Sequence, residues 1–352
     1  MFELDYYKDM DRQTVAQRIE AARQALGDDV VILGHHYQSD DVIEHTDFTG
    51  DSFLLARQAA ERSTSRYIVF CGVHFMAETA DILTPPDRAV LLPEPEAGCS
   101  MADMATIGEV EECYRHLEQA GHKVVPITYM NSSAAIKAFC GRHGGIVCTS
   151  SNAQRAFDWA LDRGDCILFL PDEHLGRNAG KQVGIFPKET AKWHRASGTL
   201  KGASEPRLVV WDGFCSVHLK FTVEQMAQAR LRYAGVNVIV HPECPQKVVD
   251  AADDVGSTEY IIRRVSEGPP GSSWAVGTEI NLVNRLAKKL TDRTVFSLNP
   301  VVSPCPTMYL VTAAHLLALL EALVEGNVRH RIVVPAEVAG PARIALDRML
   351  KL

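Results

Sequence analysis

"RLVVWDGFCSVH", residues 207–218, begins as a continuous apolar run and ends at a thiol. Leu208, Val209, Val210 and Trp211 follow one another with nothing polar between them, so a strand made of them must be buried on both faces. That is the pattern of a parallel strand inside an α/β layer, not of an antiparallel strand with one wet face. The run breaks at Asp212 and Gly213, and Cys215 stands where the strand should meet solvent, with His218 three positions on. The neighbouring cysteines in sequence are Cys166 and Cys244, and none of the nine cysteines forms a C-x-x-C pair.

Working outward, the same pattern recurs along the chain. "VVILGHHY" (30–37), "YIVFCG" (67–72), "AVLLPEP" (89–95), "KVVPITYMN" (123–131), "GIVCTSSN" (145–152), "CILFLPD" (166–172), "NVIVHPEC" (237–244), "SWAVGTE" (273–279), "TVFSLNPVVSPC" (294–305) and "RIVVP" (331–335) read as strands. Between them "SFLLARQAAERS" (52–63), "IGEVEECYRHLEQAG" (107–121), "NAQRAFDWALDRG" (152–164), "TVEQMAQARLRYAG" (222–235), "TEYIIRRVSEG" (258–268) and "INLVNRLAKKLTDR" (280–293) place apolar residues at three- and four-residue spacing. Several start at Ser, Thr or Asn and stop at Gly. Strand alternating with helix predicts α/β architecture with parallel sheets. Ten or eleven strands are many for one sheet, so several sheets of three or four strands are expected. Breaks near 106 and near the polar "RASGTLKGASEP" (195–206) divide the chain into segments 1–106, 107–205 and 206–305, with 306–352 expected to pack back on the first.

The chain has 352 residues, 46% hydrophobic and 23% charged, with net charge −8 and pI about 5.9. That acidity argues against a nucleic-acid partner, which needs a basic face. The start, "MFELDYYKDMDRQ", has neither the basic nor the apolar region of a signal peptide. No run of about eighteen apolar residues predicts a membrane span. A cytoplasmic location is expected, and in that reducing compartment nine cysteines point to thiol, metal or catalytic roles rather than disulfides.

In open parallel sheets, ligands bind beyond the carboxyl ends of the strands. Those ends here carry His35, His36 and Tyr37; Cys99; Tyr129, Asn131 and Ser132; Thr149, Ser150 and Asn152; Asp172; Cys215 and His218; His241, Glu243 and Cys244; Glu279; and Cys305. Cys113 and Cys140 fall at core positions of helices, and Cys71, Cys148 and Cys166 lie in or beside apolar strands as small buried hydrophobes. Cys99, Cys215 and Cys305 instead follow strands among Gly, Pro and Ser. Their separations, 215 − 99 = 116 and 305 − 215 = 90, put about one per domain-sized segment. Three thiolates are one short of a [4Fe–4S] ligand set and would leave one iron open to substrate as a Lewis acid. Zinc held by three cysteines and water is the competing metal reading.

"HPEC" (241–244) sets His241 and Glu243 two apart, on one side of an extended chain, as a candidate general-base pair. It also mimics the H-x-E of zinc deaminases, but the P-C-x-x-C they need is absent, because Met308 stands where the second cysteine belongs. "GHHYQSDD" (34–41) ends the first strand with two imidazoles and a phenol. Ser52, Ser150, and Ser257 with Thr258 stand at helix starts. Singly each is an ordinary cap, but three together suggest an anionic substrate with several oxygens to hold.

The ordered set "LGHHYQ", "GDS", "FMAETA", "EAGCSMADM", "YMNSSA", "CTSSNA", "LPDEHLG", "DGFCSVH", "HPEC", "VGST", "VGTE" and "CP" resembles the quinolinate synthase family from about residue 30 to 310. The resemblance implies three small α/β/α domains in pseudo-threefold arrangement around a [4Fe–4S] cluster held by Cys99, Cys215 and Cys305. It implies condensation of iminoaspartate with dihydroxyacetone phosphate to quinolinate, phosphate and water in NAD biosynthesis. An L-aspartate oxidase or aspartate dehydrogenase would supply the iminoaspartate. It further implies a substrate site of His35, Ser52, Tyr129, Asn131, Ser150, His241, Glu243 and Thr258, with Tyr37, His218 and Ser257 close by. Glu243, His241, Tyr37, His35 and His218 are the expected catalytic groups. His36 replaces the Asn or Tyr of many relatives, and the segment 176–206 is longer than in compact ones. The alternatives are a zinc-dependent hydrolase or lyase and a non-enzymatic iron–sulfur sensor.

Overall fold

The computed structural model describes residues 4–61, 65–301 and 304–352. In chain order its strands are β1 (Val30–His35), β2 (Phe48–Gly50), β3 (Tyr67–Cys71), β4 (Ala89–Leu91), β5 (Val124–Tyr129), β6 (Ile146–Cys148), β7 (Cys166–Leu170), β8 (Thr190–His194), β9 (Thr199–Gly202), β10 (Leu208–Trp211), β11 (Asn237–Val240), β12 (Asp254–Val255), β13 (Ser273–Gly277), β14 (Thr294–Ser297) and β15 (Arg331–Ile332). They form three sheets, ordered β15-β4-β3-β1-β2, β6-β5-β7-β10-β8-β9 and β12-β11-β13-β14. Apart from β15 on β4 and β9 on β8, the pairings are parallel. The central strands are buried along their whole length, as their unbroken apolar runs require.

The chain divides into two compact units, Met1–Cys99 with Pro304–Val334, and Ser100–Ser303 with Pro335–Leu352. The first unit holds the first sheet, with helix Ala313–Val324 packed on helix Arg12–Leu26 and β15 added to the edge strand β4. The second unit holds the other two sheets. Helix Ala336–Leu350 belongs to it and packs along helix Ala134–Arg142. The tail expected to return whole to the first segment does so only through Val334. The packing of the last helix depends on Gly141, where an added Cβ would run into the Pro341 carbonyl.

Two further differences from the sequence reading have local causes. Two sheets exceed the three or four strands expected: β15 adds a fifth strand to the first, and the segment after residue 176 folds into the hairpin β8–β9 and extends the second to six. Its alternating "TAKWH" and largely exposed "TLKG" lack the continuous apolar run by which the other strands are read. β10, taken as the opening of the third segment, pairs with β7 and β8 and lies in the second sheet. Among the described residues no helix is long and apolar enough to cross a membrane.

One local structure occurs three times. Cys99, Cys215 and Cys305 are each followed, three to five residues on, by a single 3₁₀ turn: Ala102–Met104, His218–Lys220 and Met308–Leu310. Seven residues after each cysteine comes a threonine, Thr106, Thr222 or Thr312. Each accepts the N–H three residues on and caps the α-helix that starts at the next position.

Candidate active site

In the second unit β10 ends at Trp211 and the loop 212–217 carries Cys215. Gly213 lies so close to the Pro171 carbonyl that a Cβ would collide with it, and the Glu173 N–H donates to the Gly213 carbonyl (2.8 Å). β11 ends at Val240. The His241 N–H donates to the Gly277 carbonyl (3.0 Å), and the Cys244 N–H donates back to the His241 carbonyl (3.0 Å). "HPEC" is therefore a tight turn, not the extended chain expected. Pro242 has no N–H to give to a strand and holds its φ for a turn.

That turn and the Cys215 loop bring four side chains together. His218 Nδ1 lies 2.7 Å from Glu243 Oε2 and 3.2 Å from Cys215 Sγ, and its Nε2 lies 3.2 Å from Thr278 Oγ1. The His218 and His241 rings stack at 4.5 Å, and His241 Nδ1 lies 4.0 Å from Glu243 Oε2. Donor atoms of Cys215, His218 and Glu243 all fall within 4.8 Å of one another. His218, His241 and Glu243 are at most 3% exposed, while Cys215 is half-buried.

Burial pushes the Glu243 carboxyl up, but the imidazoles of His218 and His241 and the Tyr129 hydroxyl outweigh it and hold it down to about 2. Glu243 is a carboxylate, so the proton between it and His218 sits on Nδ1. Burial lowers His241 to about 3, so it is a neutral imidazole. Its Nδ1 accepts the Glu243 N–H (3.4 Å), which leaves the proton on Nε2. Burial, and then repulsion from Glu243, push Asp172 well above the carboxylate range.

The predicted polar residues of this unit line strand ends and helix starts. Tyr129 ends β5, and Asn131 follows it with a buried Oδ1 that has no hydrogen-bond partner among the described residues. Ser150 and Ser257 line one cavity of about 600 Å³ with Gly256, Tyr260 and Arg263. Ser257 caps helix Thr258–Ser266, whereas the helix after Ser150 begins beyond Asn152, so the Ser150 hydroxyl is not a cap.

In the first unit His35 ends β1 opposite Gly50 of β2. The Tyr37 N–H donates to His35 Nδ1 (3.1 Å), which puts the His35 proton on Nε2, and the two rings meet edge to face at 4.7 Å. Asp51, not Ser52, caps the following helix through the N–H groups of Phe53 and Leu54 (3.1 and 2.9 Å). Cys305 Sγ lies 3.5 Å from Thr307 Oγ1.

The nine cysteines separate by exposure. Cys99, Cys215 and Cys305 are half-buried, and the other six are buried. Burial raises the thiols of Cys71, Cys113, Cys140, Cys148 and Cys244, and that of Cys166 to about 12. Those six are poor thiolate ligands on physical grounds.

Sequence reading passed over Asn178, which donates from the helix Glu173–Gln182 to the carbonyls of Pro242 and Cys244 (2.8 and 3.0 Å). It noticed Asp172 only as a strand-end acid. For Asn178 the sequence carries no signal, because it lies within a helix and acts on a loop 64 residues away.

The profile of the family described as "Quinolinate synthetase A protein" matches residues 17–351. The chain is 52% identical to a quinolinate synthase of Corynebacterium glutamicum, across 96% of this chain and 87% of that one. It is 50% identical to that of Geobacillus kaustophilus (98% and 95% covered) and 52% identical to that of Streptomyces coelicolor (95% and 87%).

Proposed function

The chain belongs to the quinolinate synthase family, and from that premise we propose that it joins iminoaspartate to dihydroxyacetone phosphate, releasing phosphate and water, to make quinolinate. The observation that carries the proposal is the set of three equivalent cysteine loops. The same thiol, 3₁₀ turn and threonine cap recur after β4, β10 and β14, one strand of each sheet, and these thiols alone are not buried. Such a donor set fits a [4Fe–4S] cluster held by Cys99, Cys215 and Cys305, within three small α/β domains in pseudo-threefold arrangement. When bound, a cluster with three protein thiolates supplies an open iron as a Lewis acid.

The protein's own groups take the remaining tasks. Glu243 is an ionised carboxylate beside a donor imidazole, and it removes protons from the condensing amine and carbon. His241 and His35 each present an Nε2–H, so both donate to substrate oxygens rather than accept protons from them. Tyr37, packed on His35, and His218, bonded to Glu243, position these groups. Ser257 and Thr258 at a helix start, with Ser150 on the same cavity and with Tyr129 and Asn131, hold the dicarboxylate. His35, Tyr37 and Ser52 serve the triose phosphate. The partners are small molecules, with an L-aspartate oxidase or aspartate dehydrogenase supplying iminoaspartate. A cytoplasmic location suits this reading, because a reducing compartment keeps thiols available as metal ligands.

A second reading has its own observation. Cys215, His218 and Glu243 alone form a tight soft-and-hard donor set that would suit zinc in a hydrolase or lyase. Anaerobic purification decides between them. About four iron and four sulfide per chain, a brown protein and quinolinate from the two substrates support the synthase. Stoichiometric zinc with air-stable activity, and no quinolinate, overturns it.

A further inference from the structure

We propose that Asn178 is a positioning residue that holds Glu243 against His218 through the two loop carbonyls on either side of it. The inference rests on the reading of Glu243 as the base. Asn178 is 4% exposed. Its Nδ2 donates to the carbonyl of Pro242 (2.8 Å) and to that of Cys244 (3.0 Å), so one amide brackets Glu243. Among the described residues the turn's own bonds are those of the Cys244 N–H to the His241 carbonyl and of the Glu243 N–H to His241 Nδ1, both onto His241, and Pro242 and Pro245 contribute no N–H. Among the described residues these two carbonyls receive their hydrogen bonds from Asn178.

Only a group with two protons on one nitrogen can serve both acceptors from one site. The other end of the amide, Oδ1, is buried with no hydrogen-bond partner among the described residues. Leaving such an atom unpaired is costly, so the donor end is what the position retains.

The same helix holds the opposing loop. Asp172 caps it, taking the Leu175 N–H at 2.6 Å, and the Cys215 N–H also points at this carboxyl. The Glu173 N–H holds Gly213. One ten-residue helix is thus tied at its start to the loop of Cys215 and His218, and through Asn178 to the turn of His241 and Glu243. It sets the gap across which His218 and Glu243 meet at 2.7 Å.

Nuclear magnetic resonance of the metal-free, reduced protein tests this without turnover. In the parent both Nδ2 protons of Asn178 should exchange slowly with solvent; fast exchange of either overturns the proposal. In Asn178→Ala the ring resonances of His218 and His241 should move, while in Lys181→Ala, which removes an exposed ion pair to Asp250 from the same helix, they should not. In the reconstituted enzyme Asn178→Ala should retain its iron and lose at least about tenfold in kcat with KM within about threefold, since small misplacements of a catalytic group act on kcat. Parent-like histidine resonances and parent-like kcat in Asn178→Ala overturn it. If the parent makes no quinolinate, the proposed function fails, while proton exchange and the histidine resonances still decide this inference.

Discussion

Acid should destabilise this protein through His241 in a way that a substitution can isolate. His241 is buried, and burial lowers it from 6.5 to about 3. Its folded pKa is depressed, so the unfolded chain takes up a proton below pH 6.5 that the native chain refuses until about pH 3. The stability tied to this group is therefore complete above 6.5 and is lost progressively as pH falls. Each pH unit between the two values costs about 1.4 kcal/mol, so pH 7 to pH 5 removes about 2 kcal/mol. Asp172 acts with the opposite sign, since its carboxyl is raised and it favours the native state as pH falls. The parent's own stability curve mixes the two. The difference between parent and His241→Asn cancels Asp172, which both carry. Urea unfolding of the metal-free, reduced proteins at pH 7 and pH 5 gives that difference. The parent should lose about 2 kcal/mol more than His241→Asn over this interval. Parallel losses would show that His241 is charged in the native protein, and the assignment of its Nδ1 as the acceptor of the Glu243 N–H would fall with it.

Other outcomes follow from the same geometry. Cys99→Ser, Cys215→Ser or Cys305→Ser should abolish bound iron and activity, whereas serine at Cys71, Cys113, Cys140, Cys148 or Cys166 should spare the iron; a full iron complement in Cys215→Ser refutes the ligand set. Glu243→Gln retains shape and removes basicity, so the protein should fold, bind iron and dicarboxylates, and turn over at least about a hundredfold more slowly; turnover within a few-fold of the parent would make Glu243 a bystander. Gly141→Ala should destabilise the second unit by about 1–3 kcal/mol, because a backbone carbonyl of Pro341 cannot move aside as a side chain can; an unchanged denaturation midpoint would remove that helix contact from the account.

The amino-acid sequence by itself determined the α/β class, because unbroken apolar runs such as 208–211 permit only strands covered on both faces. It also singled out Cys99, Cys215 and Cys305, since local chemistry, a strand end followed by Gly, Pro and Ser, marks a loop in one dimension. It could not reveal that Asp51 rather than Ser52 caps its helix, which depends on where the first turn closes. Nor could it assign the hairpin at 190–202, whose strands are only partly buried, or the sheet to which β10 belongs, because strand pairing is a choice among distant partners. The protonation states of His241, Glu243 and Asp172 were likewise decided by tertiary structure. Each depends on burial and on charges brought up from other loops, and a side chain's ordinary pKa carries no record of either. Asn178 is the plainest case: a helical asparagine becomes meaningful only when folding places two carbonyls from another loop within reach of its amide.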